Sequence, residues 1–333
     1  MTVYIAIPRF ALSGGNLVSL DLANYLSQQG LNVYCLSGFK IKKPQEVILV
    51  KPKRGTLNSL INMVAFLCSS VAALFLKNYI ATHHLTSIFN CIKKCKFALV
   101  QDIEIDFYPE QLKPLGFFFW RQYLKSHHLI ITNNTLAQRI GSQYAGTVNG
   151  FSFIPFEIDI YADDLKKNDL LAVVRDGSYK APLRTTEVMN AMHGVDCIIV
   201  NSTRGDLTGD NVISNVDRDN FVRLLNESKI FLCLSKWEGL GLPNIEAYVA
   251  GCHVVSSPIP SAQILQKIDP DAISIIRDDM SVEEIQKVIY EIMENKKSKI
   301  SFEEKSLRMK NLLKSRGEWF EYSKNIVIQG VNE

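Results

Sequence analysis

The feature that most constrains this chain is a strand, a glycine-containing turn and a helix within residues 230–250. An apolar run at 230–234 predicts a buried strand, and residues 244–250 predict the helix that follows it. Gly239 and Gly241 lie in the turn between them, where glycine lets the backbone approach a ligand closely. A helix N-terminus adds unpaired N–H groups and partial positive charge. The segment therefore predicts an anion site suited to a diphosphate.

Two glutamates, Glu238 and Glu246, bracket this turn with seven residues between them. A carboxylate accepts hydrogen bonds from two hydroxyls at once. We therefore expect one glutamate beside a bound sugar and the other, on the first helical turn, beside a ribose. Taken alone, the segment is also compatible with an ordinary strand, turn and helix that carry two surface glutamates.

Two cations, Arg175 and Lys180, follow a predicted strand at 170–174 and lie five residues apart in one loop. We expect them at the carboxyl end of that strand, facing the same crevice as the glycine turn. Arginine and lysine can neutralise a diphosphate leaving group as its charge develops. A solvated loop is the alternative for this pair alone.

Strand and helix patterns alternate along the chain in two series, separated around residues 159–168. The first series has elements at residues 3–7, 16–29, 31–36, 97–100, 129–132 and 133–142. The second has elements at residues 170–174, 185–193, 197–201, 217–228, 230–234, 244–250, 253–256 and 281–295. Asn133, Asp217 and Ser281 are the predicted helix caps. This alternation predicts two α/β domains with parallel sheets, which bind ligands at the carboxyl ends of their strands.

A glycine pair, Gly14 and Gly15, follows the first predicted strand and opens the first helix. The pattern is not GxGxxG, so the fingerprint of a dehydrogenase is lacking. Two glycines at a helix N-terminus still allow a phosphate or a sugar to approach the backbone. An ordinary tight turn would carry the same residues.

Composition excludes several function classes. The formal charge of +3, without a basic stripe, gives no indication of nucleic-acid binding. Seven scattered cysteines are typical of a reducing cytoplasm, and Cys91 and Cys95 lack the further ligands that a structural zinc site needs. The N-terminus predicts a strand where a signal peptide would carry a charged segment and an apolar one. We therefore expect a cytoplasmic protein without a metal.

An apolar run at residues 60–76 leaves three alternatives: a buried or amphipathic helix, a helix at a membrane surface, or a membrane span. A span needs about 20 apolar residues, and this run is interrupted by Asn62, Ser69 and Ser70. Four basic residues flank it: Lys51, Lys53, Arg54 and Lys77. The first alternative is favoured, and the second leaves room for a peripheral contact with the inner membrane.

Together these motifs resemble those of GT-B glycosyltransferases, and in particular glycosyltransferase family 4. That family has a Gly-Gly loop, an Arg…Lys pair and a Glu-x7-Glu element, in that order along the chain. The resemblance implies an α/β fold with two Rossmann-like, doubly wound domains facing a cleft. Residues 1–162 would form the acceptor-side domain, with residues 317–333 crossing back to it. Residues 163–316 would bind the nucleotide sugar.

The resemblance also implies roles for individual residues. Arg175 and Lys180 would bind the donor β-phosphate, and Glu246 would hold the ribose. Glu238 would face the donor sugar. Backbone N–H groups of the glycine turn would hold the phosphates: those of Gly239, Leu240, Gly241 and Leu242. No metal or other cofactor is implied.

A narrower resemblance concerns residues 81–86 and 97–109. They are similar to a bacterial subgroup that includes L-rhamnosyltransferases, which build surface polysaccharides from dTDP-rhamnose. That subgroup has Gln-Asp-Tyr-Glu-Pro where this chain has Gln-Asp-Ile-Glu-Ile at 101–105. Asp102 would contact the acceptor or receive its proton, and His83 and His84 are further acceptor-side candidates. A partly buried polar pair is the alternative for the two histidines.

The resemblance therefore implies a retaining glycosyltransferase that moves a sugar, L-rhamnose or another hexose, from a nucleoside diphosphate to an O-antigen or capsule-type glycan. The acceptor would be a glycan or a lipid-linked glycan, and other glycan-assembly enzymes are candidate partners. Two alternatives stay open. One is an epimerase or phosphorylase of the same fold, which would need no acceptor glycan. The other is a non-catalytic subunit of a glycosyltransferase complex.

Overall fold

The structure is a computed structural model, and it describes residues 2–50, 56–141, 148–152, 166–203, 205, 207–295 and 300–333. The chain divides into two compact units. The first comprises Met1–Ile154 and Lys314–Glu333, and the second comprises Pro155–Leu313. The predicted boundary between residues 162 and 163 lies outside the described residues.

The first unit contains a six-stranded sheet of order β3-β2-β1-β4-β5-β6. Its strands are β1 Thr2–Ala6, β2 Asn32–Ser37, β3 Lys40–Lys42, β4 Tyr79–Ala81, β5 Phe97–Val100 and β6 His128–Ile131. All neighbours pair in parallel except β3, which runs antiparallel to β2. The helices of this unit are α1 Gly14–Gln28, α2 Thr56–Ala73, α3 Lys113–Tyr123 and α4 Asn134–Ile140. Val3, Ile5 and Phe97 are fully buried, as expected for a parallel sheet covered on both faces.

The second unit contains a fully parallel sheet of order β12-β11-β10-β7-β8-β9. Its strands are β7 Asn168–Val174, β8 Cys197–Asn201, β9 Val212–Ser214, β10 Ser228–Cys233, β11 His253–Ser256 and β12 Ile273–Ile275. Its helices are α5 Pro182–Ala191, α6 Arg218–Glu227, α7 Leu242–Val249, α8 Pro260–Ile268 and α9 Val282–Asn295, and α10 Phe302–Asn332 follows. Leu170 and Ile230 of the central strands pack in one buried core with Val188 of α5 and Ile289 of α9.

The predicted helix caps are confirmed. Asn133 accepts a hydrogen bond from the backbone N–H three residues later at 2.8 Å, and Asp217 does the same at 2.8 Å. Ser281 and Glu284 exchange hydrogen bonds in a capping box. Each cap satisfies an N–H group that the helix leaves without a partner. The cap residues thus set where α4, α6 and α9 begin.

Three helices, α1, α5 and α7, begin two or three residues before their predicted starts. Helix α7 begins at Leu242, two residues before the expected start, so Glu246 lies in the second turn instead of the first. Pro243 explains the difference, because proline lacks an N–H group and is tolerated in the first helical turn. The predicted strand–turn–helix order is otherwise as expected.

Helix α10 contributes to the cores of both units. In the first unit, the buried indole of Trp319 donates a hydrogen bond to the Ile131 carbonyl at 2.8 Å. In the second unit, the buried ammonium of Lys305 donates to the Asn226 side chain at 2.9 Å. Residues Lys314–Glu333 therefore complete a unit whose other residues come from the beginning of the chain.

Helix α2 buries polar side chains and exposes apolar ones. Ser69 and Ser70 are fully buried, and the Ser69 hydroxyl accepts the Gly38 N–H at 3.0 Å. The exposed apolar residues are Leu60, Ile61, Met63, Val64 and Leu67. Their helical spacing puts them on neighbouring faces of the helix. Among the described residues, no helix combines the length and the apolar character needed to span a bilayer.

Candidate functional site

The predicted anion turn joins strand β10 to helix α7. Gly241 is the N-cap residue of α7 and has a φ of 91°, a conformation that favours glycine. A Cβ at this position would lie 2.6 Å from Ser261 Oγ and 2.7 Å from Ile259 Cδ1. The Ser261 N–H donates to the Leu240 carbonyl at 2.8 Å. The start of α8 thus holds the turn in place and leaves no room for a side chain at Gly241.

Glu238 lies in this turn and is bound by both of the predicted donor-site cations. Its Oε1 accepts hydrogen bonds from Arg175 Nη2 at 2.6 Å and from Ser235 Oγ at 3.0 Å. Its Oε2 forms an ion pair with Lys180 Nζ. The Glu238 side chain is only 8% exposed, whereas that of Arg175 is 33% exposed. The structure therefore brings three predicted site residues into direct contact.

Strand topology explains this contact between residues 63 positions apart. Strands β7 and β10 are parallel neighbours, so their carboxyl ends open onto the same edge of the sheet. Arg175 directly follows β7, and Lys180 ends a short 3-10 helix, Ser178–Lys180. The Lys236 N–H also donates to the Tyr179 carbonyl at 2.8 Å, which joins the two loops.

Glu246 faces a cation that sequence reasoning missed. Its Oε2 lies 3.1 Å from Arg218 Nη1, and the carboxylate is buried, with 4% of its side chain exposed. Burial raises the pKa of Glu246, and the neighbouring Arg218 opposes that rise. Arg218 is the first residue of α6, directly after the predicted cap Asp217. Its position at this helix start was the only feature of the sequence that could have indicated a role for Arg218 in the site.

At this site a bound anion could replace the carboxylate of Glu238 as the partner of Arg175 and Lys180. Two cations share one carboxylate at the N-terminus of a helix, where the helix dipole also favours negative charge. A diphosphate offers more oxygens and more charge than Glu238 does, so it can compete for Arg175 and Lys180. Glu246, one turn further along α7, offers a carboxylate to hydroxyl groups.

The remaining predicted residues belong to the first unit. Gly14 opens α1, and Ser13 caps that helix by accepting the Asn16 N–H at 3.3 Å. Gly15 lies against the Gln101 side chain, because a Cβ there would be 3.3 Å from Gln101 Oε1. This loop follows the carboxyl end of β1, as predicted.

Asp102 and the two histidines also lie beyond strand ends of the first unit. Asp102 is half-buried, and its Oδ1 accepts the Ile103 N–H at 2.8 Å. His84 is buried and its Nδ1 pairs with Glu104, a residue outside the predicted set. Burial lowers the pKa of His83 to about 4, so this side chain is neutral at neutral pH.

His83, His84 and Glu104 each offer an atom that could bind a metal, all within 4.8 Å of one another. Hydrogen bonds within the protein already use two of these atoms. His83 Nδ1 accepts the Leu85 N–H at 3.1 Å, and His84 Nδ1 is bound to Glu104. The three residues thus form a hydrogen-bonded cluster within the first unit.

Residues 209–309 match the model of the family described as glycosyl transferases group 1. The matched segment includes Arg218, Glu238 and Glu246, but not Arg175 or Lys180. This segment of the chain is therefore similar to the glycosyl transferases of group 1. The match supports a transferase activity for the chain.

Solved structures share the fold over nearly the whole chain. Sucrose-phosphate synthase from Thermosynechococcus elongatus is 12% identical with a TM-score of 0.64, covering 99% of this chain and 97% of that one. HepE of Anabaena, solved with UDP-glucose, is 11% identical with a TM-score of 0.62, covering 100% and 99%. WaaG, a glycosyltransferase involved in lipopolysaccharide biosynthesis, is 14% identical with a TM-score of 0.59, covering 98% and 99%.

The predicted GT-B fold, with two parallel-sheet α/β domains, is therefore confirmed for this glycosyltransferase. No curated protein matches its sequence.

Proposed function

We propose that this glycosyltransferase moves a sugar from a nucleoside diphosphate to a hydroxyl of a bacterial surface glycan. The observation that supports it most is the contact of Arg175 and Lys180 with Glu238 at the start of α7. A departing nucleoside diphosphate gains negative charge as the sugar bond breaks. Two fixed cations and a helix N-terminus stabilise that charge where it develops.

The roles follow from these positions. Arg175 and Lys180 bind the β-phosphate after it displaces Glu238. The backbone of Gly239, Leu240, Gly241 and Leu242 approaches the diphosphate, and the freed Glu238 carboxylate faces the donor sugar. Glu246 accepts hydrogen bonds from the ribose hydroxyls, and Arg218 holds it in place. The two cations supply the charge that a metal supplies elsewhere, so the proposed reaction needs no metal.

We further propose that the sugar is transferred with retention at the anomeric carbon, and that the donor carries a pyrimidine base. HepE, which shares the fold, is bound to UDP-glucose. The likeness around residues 97–109 instead favours dTDP-L-rhamnose. Both are pyrimidine nucleotide sugars, which narrows the donors to be tested. An O-antigen or capsule-type acceptor rests on the same likeness and on the lipopolysaccharide role of WaaG.

The exposed apolar residues of α2 support a peripheral contact with the cytoplasmic face of a membrane. Leu60, Met63 and Leu67 are each more than two-fifths exposed, which is unfavourable in water. Basic residues at 51, 53 and 54 precede the helix in the sequence, although they lie outside the described residues. An anionic phospholipid surface matches both features. Met63→Glu should therefore reduce cosedimentation with phosphatidylglycerol vesicles.

Calorimetric titration with UDP, dTDP, GDP and ADP tests the donor site. We expect the wild-type protein to bind UDP or dTDP, with or without EDTA. Arg175→Ala, Lys180→Ala and Glu246→Ala should each weaken this binding at least tenfold. Lys167→Ala is the matched control, because Lys167 also pairs with a glutamate but precedes the amino end of β7.

Assays of donor conversion, with and without an acceptor glycan, then distinguish a glycosyltransferase from an epimerase and from a non-catalytic subunit. Conversion of the donor into its epimer without an acceptor would support an epimerase. Failure of the folded wild-type protein to bind any of the four nucleotides would contradict the proposed donor site and support a non-catalytic subunit.

A further inference from the structure

A hydrogen-bonded chain of three side chains lies at the carboxyl ends of strands β4 and β5. Its members are Glu104, His84 and Tyr108. His84 Nδ1 is bound to Glu104 Oε2, and the His84 backbone N–H donates to the same oxygen at 2.7 Å. His84 Nε2 lies 2.6 Å from Tyr108 Oη. The three hydrogen-bonded side chains thus connect the buried carboxylate of Glu104 with the half-buried phenol of Tyr108.

The carboxylate fixes the direction of each hydrogen bond. Burial alone would raise the pKa of Glu104, but the side-chain and backbone hydrogen bonds from His84 hold it below its ordinary value. An ionised carboxylate only accepts hydrogen bonds, so His84 carries its proton on Nδ1. With a single ring proton on Nδ1, Nε2 is an acceptor, and the Tyr108 hydroxyl donates a hydrogen bond to it. The Tyr108 oxygen is left with lone pairs only.

Backbone packing fixes where this oxygen lies. The Tyr108 ring rests on Gly116 of α3, and a Cβ at Gly116 would come within 2.8 Å of Tyr108 Cγ. The atoms in contact, Tyr108 Cγ, Cδ1 and Cδ2, lie next to the backbone, so they cannot move aside as the end of a flexible side chain would. Both the place and the hydrogen-bonding character of the Tyr108 oxygen are therefore set before any ligand arrives, which lowers the cost of binding.

We propose that Tyr108 Oη accepts a hydrogen bond from a hydroxyl of the acceptor saccharide, with His84 and Glu104 as positioning residues. This inference rests on the proposed function, since it names the acceptor-binding subsite of the same enzyme. Sugars present many hydroxyl donors at fixed angles, and a phenol oxygen that can only accept selects one of them. Neither Glu104 nor Tyr108 stands out in the sequence as a ligand-binding residue, because their contacts join residues 20 and 24 positions apart.

The proton position on His84 is measurable without any substrate. Long-range ¹H–¹⁵N spectra of histidine-labelled protein should show a protonated Nδ1 and an unprotonated Nε2 at neutral pH. The His84→Gln variant assigns the signal among the six histidines. A proton on Nε2, in a neutral or a cationic ring, would overturn the proposal, because the Tyr108 hydroxyl would then be free to donate.

Kinetics test the role of the hydroxyl. UDP-glucose and dTDP-L-rhamnose serve as donors, and p-nitrophenyl hexosides as acceptors. Tyr108→Phe should raise the acceptor KM about five- to tenfold, while the donor KM changes less than twofold. Gly116→Ala keeps every atom of the hydrogen-bonded chain but displaces the ring, and it should raise the same KM.

Tyr123→Phe is the matched control. It removes a buried phenol hydroxyl from the same unit, one that donates to the Leu99 carbonyl, so stability should fall without a change in acceptor KM. An unchanged acceptor KM in Tyr108→Phe would refute the subsite. Absence of transfer by the wild-type protein with every donor would instead contradict the proposed function, and the proton position on His84 would still test the hydrogen-bonded chain.

Discussion

Glu238 occupies the two cations of the donor site, so neutralising it should strengthen nucleotide binding while it weakens catalysis. Glu238→Gln keeps the shape of the side chain and its bond to Ser235 but removes the charge. In the wild-type protein a diphosphate must displace this carboxylate from Arg175 and Lys180. In the variant the side chain at 238 no longer competes with the diphosphate as an anion. UDP without a sugar should therefore bind more tightly, whereas transfer of the sugar should slow.

The size of the effect follows from the contacts. Two unit charges about 4 Å apart attract by about 4 kcal/mol at an effective dielectric constant of 20. Arg175 is one-third exposed, and the desolvation of Glu238 opposes the attraction, which leaves about 1–2 kcal/mol of net competition. That corresponds to roughly tenfold tighter binding of UDP. Without nucleotide, the variant should lose about 1–3 kcal/mol of folding stability, since Arg175 and Lys180 lose their ion pairs with Glu238.

Calorimetry with UDP, together with urea unfolding in its presence and absence, measures both quantities. Glu227→Gln is the control, because Glu227 also pairs with a lysine of the second unit, at 2.6 Å, but 65% of the Lys167 side chain is exposed. It should change UDP affinity by less than twofold. Weaker UDP binding by a folded Glu238→Gln protein would refute the view that this carboxylate competes with phosphate.

Three further outcomes are expected. Gly241→Ala should weaken UDP binding and destabilise the fold by about 2 kcal/mol or more, because a positive φ and a close contact both disfavour the side chain; Gly194→Ala, with a φ of 72° and no neighbour within 4 Å, is the calorimetric control that shares only the first cost. Trp319→Ala should lower the free energy of unfolding in urea by about 3–5 kcal/mol, and a loss below about 1 kcal/mol would contradict its place in the core. The pKa of His83 is about 4 in the fold and 6.5 ordinarily, so the unfolded chain takes up a proton first. Stability that is present above about pH 6.5 should therefore be lost toward pH 4, and His83→Asn should reduce this slope in urea titrations.

Local patterns were sufficient to predict the donor-site elements. The apolar run of β10, the glycines of the turn and the cations after β7 each lie within a few residues, and topology rules place parallel strand ends together. The contact of Arg218 with Glu246 was not predictable in this way. Those residues are 28 positions apart, on two helices, and no local rule states which residues of different helices meet.

Elements with weak local signals were missed. Strands β3 and β9 have three residues each, too few to show a period of two. Helix α3 contains a glycine, a proline and five aromatic residues in eleven positions, so its intrinsic helix propensity is low. Packing of its buried Trp120 and Tyr123 against the first unit overrides that propensity.

The last helix determines the order in which the two units can mature. Residues Lys314–Glu333 belong to the first unit but are synthesised only after the whole of the second. Until they emerge from the ribosome, the Ile131 carbonyl lacks the Trp319 indole and the first unit lacks part of its core. Domains commonly fold in the order of their synthesis. In this enzyme the second unit can reach its native packing first, and the unit that is translated first is completed last.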